Sequence, residues 1–352
     1  MTPVSRRTQW LIASLPVASL GVVTAVDVVT GPDLGYLPLL AVGPAFASLV
    51  GGVRRTVLIG VIALVLSLLL ALYNDVLGDR QSNMSLVSIT GVTAASILAT
   101  AGRQRREREL ASVRSVAEVA QRVLLRPVPR RAGHLRAAVS YTSANAEARI
   151  GGDLYEVVTG PNGVRAIVGD VQGKGLEAVE TAALVLGAFR EAAHDEPDLR
   201  AVSGRLEKAL NRRLSGEEFV TAILVDADPG GKLTLLNYGH PPPLILHADG
   251  KITMAEPADT APPLGLAVLQ VEGPNPHQVA FGPGDQILLY TDGVIEARDR
   301  AGRFYPLTDR AFLLKDDDPE AALEALRLDL VAHVDAPLHD DAAMLLLRCR
   351  ED

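Results

Sequence analysis

Four aspartate-bearing segments in the second half of the chain have the make-up of a site for hard cations. They are Gly151-Gly152-Asp153, Gly169-Asp170-Val171-Gln172-Gly173-Lys174-Gly175, Thr291-Asp292-Gly293 and Asp340-Asp341. Asp153, Asp170 and Asp292 flank glycine, so backbone crowding is relieved where these carboxylates project. Carboxylates gathered from separate strand ends repel one another unless a cation intervenes. Mg²⁺ and Mn²⁺ take oxygen ligands: carboxylates, carbonyls and water. Two such ions about 3.5–4 Å apart hold a water between them, lower its pKa and clamp a phosphoryl group for in-line attack. An Asp-rich set without a His or Cys cluster points to this chemistry rather than to zinc. A single Asp-Gly is more often only a turn, so the weight lies on the four together.

The elements that must position these residues are short. β-rich runs occur at Ala137–Thr142, Leu154–Val158, Val164–Val171, Phe219–Asp226, Lys232–Tyr238, Pro243–His247 and Gln286–Tyr290, and Ala342–Arg348 closes the chain as an apolar strand. Helical stretches interrupt them at Leu176–Ala193, Asp198–Leu214 and Pro319–Val334. Strands in consecutive runs, without strict β-α alternation, predict an α+β domain with largely antiparallel sheets.

The front of the chain has a different character. Residues 1–131 hold 14 Arg, no Lys and 7 Asp/Glu, whereas the remainder holds 20 basic and 35 acidic residues. A net −15 in the second part argues against nucleic-acid binding, which depends on neutralising phosphates. Four apolar stretches, Trp10–Val29, Tyr36–Val50, Val57–Tyr73 and Met84–Ala101, predict an all-α transmembrane bundle;. The second is short for the roughly 17–25 residues that a crossing takes. Arg6, Arg7, Arg54, Arg55, Arg103, Arg105, Arg106 and Arg108 flank alternate ends, while the other two connections carry Asp33, Asp75, Asp79 and one Arg80. The positive-inside rule then puts both termini, and the catalytic domain, on the cytoplasmic side of the plasma membrane. Ser5-Arg6-Arg7 ahead of an apolar run also suits an export signal, but three further apolar stretches favour an anchor;.

The expected organisation is a transmembrane region over residues 1–102, a helical linker over 103–130 and a catalytic domain over 131–352. In the linker, Leu110, Val113, Ala117, Ala120 and Leu124 recur at three- and four-residue steps until Pro127 and Pro129 end the pattern;. It reads either as a signalling helix able to pair two copies of the chain or as a plain spacer. The one cysteine, Cys349, excludes an intrachain disulfide;. His194, His247, His277, His333 and His339 show no ligand spacing, and His240, in Gly239-His240-Pro241-Pro242-Pro243, reads first as structural.

The segments ARIGGDLYEVV, IVGDVQGKGLEA, FVTAILVDAD, LNYGHPPPLIL, PPLGL, GPGDQILLYTDGVIEARDRAG and HDDAAMLLLR occur in that order between residue 148 and residue 348, preceded by AEVAQRVLLRPVP from about residue 118. Together they resemble the metal-dependent protein phosphatases, most closely the bacterial SpoIIE-like branch. The resemblance implies a sandwich of two antiparallel sheets flanked by helices. It also implies Mn²⁺ or Mg²⁺, two or more ions, held by Asp153, Asp170, Asp292, Asp340 and the Val171 carbonyl. A metal-bridging water would attack phosphoserine or phosphothreonine directly. The implied substrate is a phosphorylated protein, with an anti-sigma-factor antagonist as the branch's usual partner. Three positions depart from the family pattern: Glu156 for Asp, Lys174 for His in GDVQGKG, and Ala343 where a hydroxyl is usual. Lys174 is a candidate contact for substrate phosphate.

Two rival functions are weighed against this. A cyclase built on a Gly-Gly-Asp hairpin needs a second acid directly after it, but Leu154 stands there. A catalytically weak membrane receptor with a phosphatase-like domain, binding a regulatory partner, is the stronger alternative.

Overall fold

The computed structural model describes residues 6–31, 36–143, 151–161, 163–213, 218–257, 261–266, 274–334 and 337–350. The Ala148-Arg149-Ile150 start of the first family motif, Asp33 and Leu214 lie outside the described residues. The chain divides into two compact units, Met1–Ser112 and Val113–Asp352.

The first unit is helical: α1 Arg6–Thr30, a 3-10 turn Leu37–Ala41 running into α2 Val42–Val50, α3 Val53–Tyr73, and the start of α4 Arg80–Leu124. Its interior is lined by Leu20, Leu40, Ala47, Ile59, Ala63, Leu70 and Ile89. The helices approach closely where side chains are minimal: a Cβ on Gly60 would strike the Thr93 side chain, and one on Gly43 that of Leu20;. Large apolar side chains also point outward, among them Val22, Val29, Leu58, Val61, Leu69, Val87 and Leu98. Among the described residues, three helices are long and apolar enough to cross a membrane: Ala13–Thr30, Val53–Tyr73 and Arg80–Ser112. Leu37–Val50 is apolar but shorter. Its five 3-10 and nine α-helical residues rise about 24 Å, against a hydrocarbon core of about 30 Å. The Arg103 guanidinium donates to the Leu49 and Gly51 carbonyls, each at 2.8 Å, and so satisfies the open end of α2;.

α4 runs through the expected boundary between residues 102 and 103 without a break. Nothing in RQRRERELASV offers a Gly or Pro to interrupt it;.

The second unit is a two-sheet sandwich. Its elements are β1 Arg131–Ala132, β2 Leu135–Thr142, β3 Asp153–Gly160, β4 Gly163–Val171, α5 Leu176–Asp195, α6 Leu199–Asn211, β5 Val220–Asp228, β6 Lys232–Tyr238, β7 Leu244–Leu246, β8 Ile252–Met254, β9 His277–Ala280, β10 Gln286–Tyr290, α7 Asp292–Ile295, α8 Leu307–Arg310, α9 Pro319–Val334 and β11 Ala342–Cys349. One sheet has the order β1-β2-β11-β10-β7-β8, the other β3-β4-β5-β6-β9, and every named pairing is antiparallel.

Both faces of each sheet are covered, which explains why the strands read as apolar runs rather than alternating ones. In β5, Ile223, Val225 and Ala227 enter the core between the sheets, while Val220, Ala222 and Leu224 pack under α5 and α6. In β11, Leu345 and Leu347 face the first core, and Met344 and Leu346 face α9. Fully buried Leu side chains of this kind are each worth about 1.5–3 kcal/mol of transfer free energy. The ends of the central strands are thereby fixed in place, and those ends carry the aspartates.

Candidate metal centre

Asp153 opens β3 and stands directly opposite Asp170, the penultimate residue of β4. Two carboxylates are thus in register on neighbouring strands, where like charges are destabilising. Glycine admits this geometry. A Cβ on Gly152 would collide with the Val171 carbonyl, and one on Gly293 with the backbone of Asp341. Those two close approaches bring Asp292, at the start of α7, and the Asp340-Asp341 pair alongside the first two aspartates.

The groups perturb one another strongly. Burial first, then the Asp170 charge, pushes Asp153 well above the usual carboxylate range, against the pull of a hydrogen bond from Thr291. Asp170 is pushed up to about 7, by burial, then by Asp292 and Asp340. Burial and Asp340 also raise Asp292. Sites with coupled, raised carboxylates are poised for a function that supplies positive charge.

Three of the carboxylates, those of Asp153, Asp340 and Asp341, are meanwhile held by donors from the protein. The Thr291 hydroxyl, fully buried, donates to Asp153 Oδ2 at 2.9 Å and accepts from the Ala343 amide at 3.0 Å. The Thr291 hydroxyl thus ties the end of β10 to the start of β11 beside Asp153. Lys174 Nζ donates to Asp340 Oδ1 at 2.6 Å, with both side chains partly exposed. Asp341, only 3% exposed, accepts from the Tyr141 hydroxyl at 2.5 Å and from the Gly151 amide at 3.0 Å. Among the described residues, no three carboxylate, imidazole or thiol side chains converge on one ion-sized point. The gathered set is nonetheless all oxygen, mutually repulsive and partly open, and this donor chemistry fits Mg²⁺ or Mn²⁺.

Several residues at the centre were not singled out by sequence. Tyr141 gave no signal, because its partner Asp341 is 200 positions away. Asp341 itself stood only as a neighbour of Asp340, yet it is the buried member of the pair and supports the Gly151-Gly152 loop. Gln121 of α4 donates to the Tyr141 hydroxyl at 2.9 Å. Glu156 does not join the cluster: it pairs with Arg190 of α5, which also donates to the Leu124 carbonyl at the end of α4. His240 is buried, its Nε2 at 3.1 Å from the Tyr290 carbonyl and its Nδ1 at 3.1 Å from the Thr221 hydroxyl. Thr221 faces Asp170 in the β4–β5 register, so the structural reading of His240 holds and places it directly behind two of the aspartates.

Residues 160–350 match the family model for Stage II sporulation protein E (SpoIIE). The chain belongs to the SpoIIE family. The matched span contains Asp170, Asp292 and Asp340, while Asp153 lies just ahead of it. A solved structure of the RsbU and RsbW domains of Rv1364c from Mycobacterium tuberculosis is 26% identical with a TM-score of 0.53, covering 61% of this chain and 60% of that one. The PP2C phosphatase domain of SpoIIE from Bacillus subtilis, with a fragment of its regulatory domain, is 15% identical with a TM-score of 0.52, over 62% of this chain and 64% of that one. The SiaA-PP2C domain of Pseudomonas aeruginosa is 20% identical with a TM-score of 0.55, over 69% of this chain and 98% of that one. The chain thus spans about three fifths of the first two relatives. Its SpoIIE-family domain has the PP2C phosphatase fold, with two antiparallel sheets and flanking helices.

Proposed function

We propose that this chain is a membrane-anchored, metal-dependent protein serine/threonine phosphatase. The reading rests above all on Asp153 and Asp170, opposed in register and joined by Asp292 at the ends of both sheets. Asp153, Asp170, Asp292, Asp340 and the Val171 carbonyl would hold two or more Mn²⁺ or Mg²⁺ ions. Bound there, such ions supply a deprotonated water and neutralise the phosphoryl group. The protein's own part is to fix the carboxylates. Thr291 orients Asp153, and the Val171 amide donates to the Gly152 carbonyl at 3.2 Å, pinning the β3–β4 end. Lys174 would meet the substrate phosphate on leaving Asp340.

The three long apolar helices support an anchor in the plasma membrane. The arginines at 103, 105, 106 and 108 favour a cytoplasmic catalytic domain;. That side agrees with a cytoplasmic N-terminus only if Leu37–Val50 crosses with help from its flanks. The substrate would be a phosphorylated protein in bacterial signalling. Kinship with SpoIIE and with RsbU domains makes an anti-sigma-factor antagonist the first candidate, and α4 offers a surface for a homodimer.

The weak-receptor reading has one observation in its favour. The Lys174 ammonium occupies Asp340, a carboxylate otherwise available to a metal. Phosphate release from a phosphoserine peptide by detergent-solubilised full chain decides between them. The phosphatase reading expects turnover with Mn²⁺, none with chelator, and none in Asp292→Asn. Tight capture of a phosphoprotein with no turnover under any divalent metal supports the receptor instead.

A further inference from the structure

The far end of the six-stranded sheet carries a second charged site, of opposite sign to the first. The register places Arg131 opposite Arg136 across β1–β2, and Arg136 opposite Arg348 across β2–β11. Three guanidinium side chains therefore form a row across three strands. All three stand on one face: their neighbours Ala132, Leu135, Ala137 and Leu347 point the other way, into the core between the sheets. Arg350, just past β11, joins them around a pocket of about 400 Å³ that Asp317 closes. Like charges directly opposite on neighbouring strands are destabilising, and Arg136, Arg348 and Arg350 sit in a portion of the chain with net charge −15.

The protein answers only part of that charge. Arg348 pairs with the Asp317 carboxylate at 2.7 Å and with the Asp316 carbonyl at 3.0 Å. Arg136 donates to the Asp317 carbonyl at 3.0 Å and, among the described residues, pairs with no carboxylate. Among the described residues, Arg131 and Arg350 make no side-chain hydrogen bond or ion pair. Asp316 and Asp318 flank Asp317, and the Asp318 amide engages the Asp316 carboxylate at 2.9 Å. The nearby Arg130 is already paired with Glu320 at 2.6 Å.

We propose that this pocket binds a phosphate-bearing anion. Guanidinium groups recognise phosphate oxygens in pairs, with fixed fork geometry. The volume lies within the roughly 300–1,000 Å³ of small-molecule sites. The pocket is separate from the aspartate centre: Ala342 and Arg348 stand at opposite ends of β11, about 20 Å apart at roughly 3.3 Å per residue. Phosphate oxygens of this kind are carried either by a lipid headgroup or by a free phosphate compound.

The test is calorimetric titration of detergent-solubilised full chain with pyrophosphate, in chelator so that the aspartate centre attracts no anion. The expected result is saturable binding that weakens with salt and drops at least tenfold in Arg131→Gln/Arg350→Gln. Asp317→Asn removes a competing carboxylate and should tighten binding several-fold, whereas Asp153→Asn should leave it unchanged. Circular dichroism confirms that each variant is folded. Repeating the titration in nanodiscs of phosphatidylcholine with and without phosphatidic acid separates the sources. Loss of pyrophosphate binding only with phosphatidic acid assigns the site to lipid headgroups, and retention assigns it to free phosphate. Absence of saturable binding to the wild type, or equal binding by the folded double variant, overturns the proposal.

Discussion

The Tyr141 hydroxyl donates to the Asp341 carboxylate across 2.5 Å, joining β2 to the residue that leads into β11 at the aspartate centre. The same hydroxyl accepts from Gln121 of α4, and Asp341 in turn accepts from the Gly151 amide beside Asp153. A chain of hydrogen bonds therefore runs from the helix through a buried carboxylate to the loop that presents Asp153.

Tyr141→Phe should weaken both fold and function. A hydrogen bond to a charged group is worth about 1.5–3 kcal/mol, and Asp341 is buried, so the lost donor is not replaced by water. The expected outcome is a drop in denaturation midpoint together with a fall of about tenfold in kcat/KM. Gln121→Ala should show a smaller effect on both. Equal kinetics for Tyr141→Phe and wild type would mean that Asp341 does not orient the Gly151-Gly152 loop.

Lys174 competes with any cation for Asp340. Lys174→Ala should lower the half-saturating Mn²⁺ concentration, measured by activation of phosphate release, by roughly threefold, the scale of a partly exposed ion pair. If Lys174 also meets substrate phosphate, KM for the phosphopeptide should rise in the same variant. A higher Mn²⁺ requirement would show that the ammonium assists the metal rather than excluding it.

Asp170 has its pKa pushed up to about 7 by burial and by Asp292 and Asp340. The metal-free native state therefore holds a proton there that the unfolded chain, at the ordinary value of 3.8, releases earlier. Stability of the metal-free protein should rise as pH falls from about 7 toward 4, because the native state binds more protons. Asp170→Asn should flatten that slope and stabilise the metal-free chain at pH 8. Chemical denaturation in chelator at several pH values measures it.

His240 gives the opposite sign. Burial holds its pKa down at about 4 against an ordinary 6.5, partly offset by the bond to the Tyr290 carbonyl. Below pH 6.5 the unfolded chain takes up a proton that the native state refuses until about pH 4. This group therefore costs stability as pH falls through that window. His240→Gln should lower overall stability yet lose less of it between pH 6.5 and 4 than wild type does.

Much of the fold was legible because it is written in local pattern. Lys232–Tyr238, Gln286–Tyr290 and Pro319–Val334 fall where the sequence put them, and β4, β5 and β11 differ by one or two residues at their ends;. β8 and β9 were missed. They are three and four residues long, half exposed, and exist only because β7 and β6 provide partners. Pro38 and Pro44 in the second apolar stretch accompany a 3-10 turn followed by a short helix, which composition alone did not reveal. At the centre, Asp153, Asp170 and Asp292 stood out because glycine and strand ends mark them. Glu156, which stands where the family pattern has Asp, is turned by β3 to Arg190. Tyr141, Thr291 and Asp341 act through register between distant strands, and no local pattern carries that information.

The central claim is that the aspartate centre hydrolyses a phosphoester with a divalent metal. The most direct measurement is phosphate release from a phosphoserine peptide by full chain over an Mn²⁺ titration, for wild type and Asp170→Asn side by side. The expected result is saturable, metal-dependent turnover by wild type and a loss of at least about a hundredfold in the variant, beyond the roughly 10–100-fold cost of disturbing an outer-shell partner. Turnover that persists in Asp170→Asn, or that ignores chelator, would contradict it.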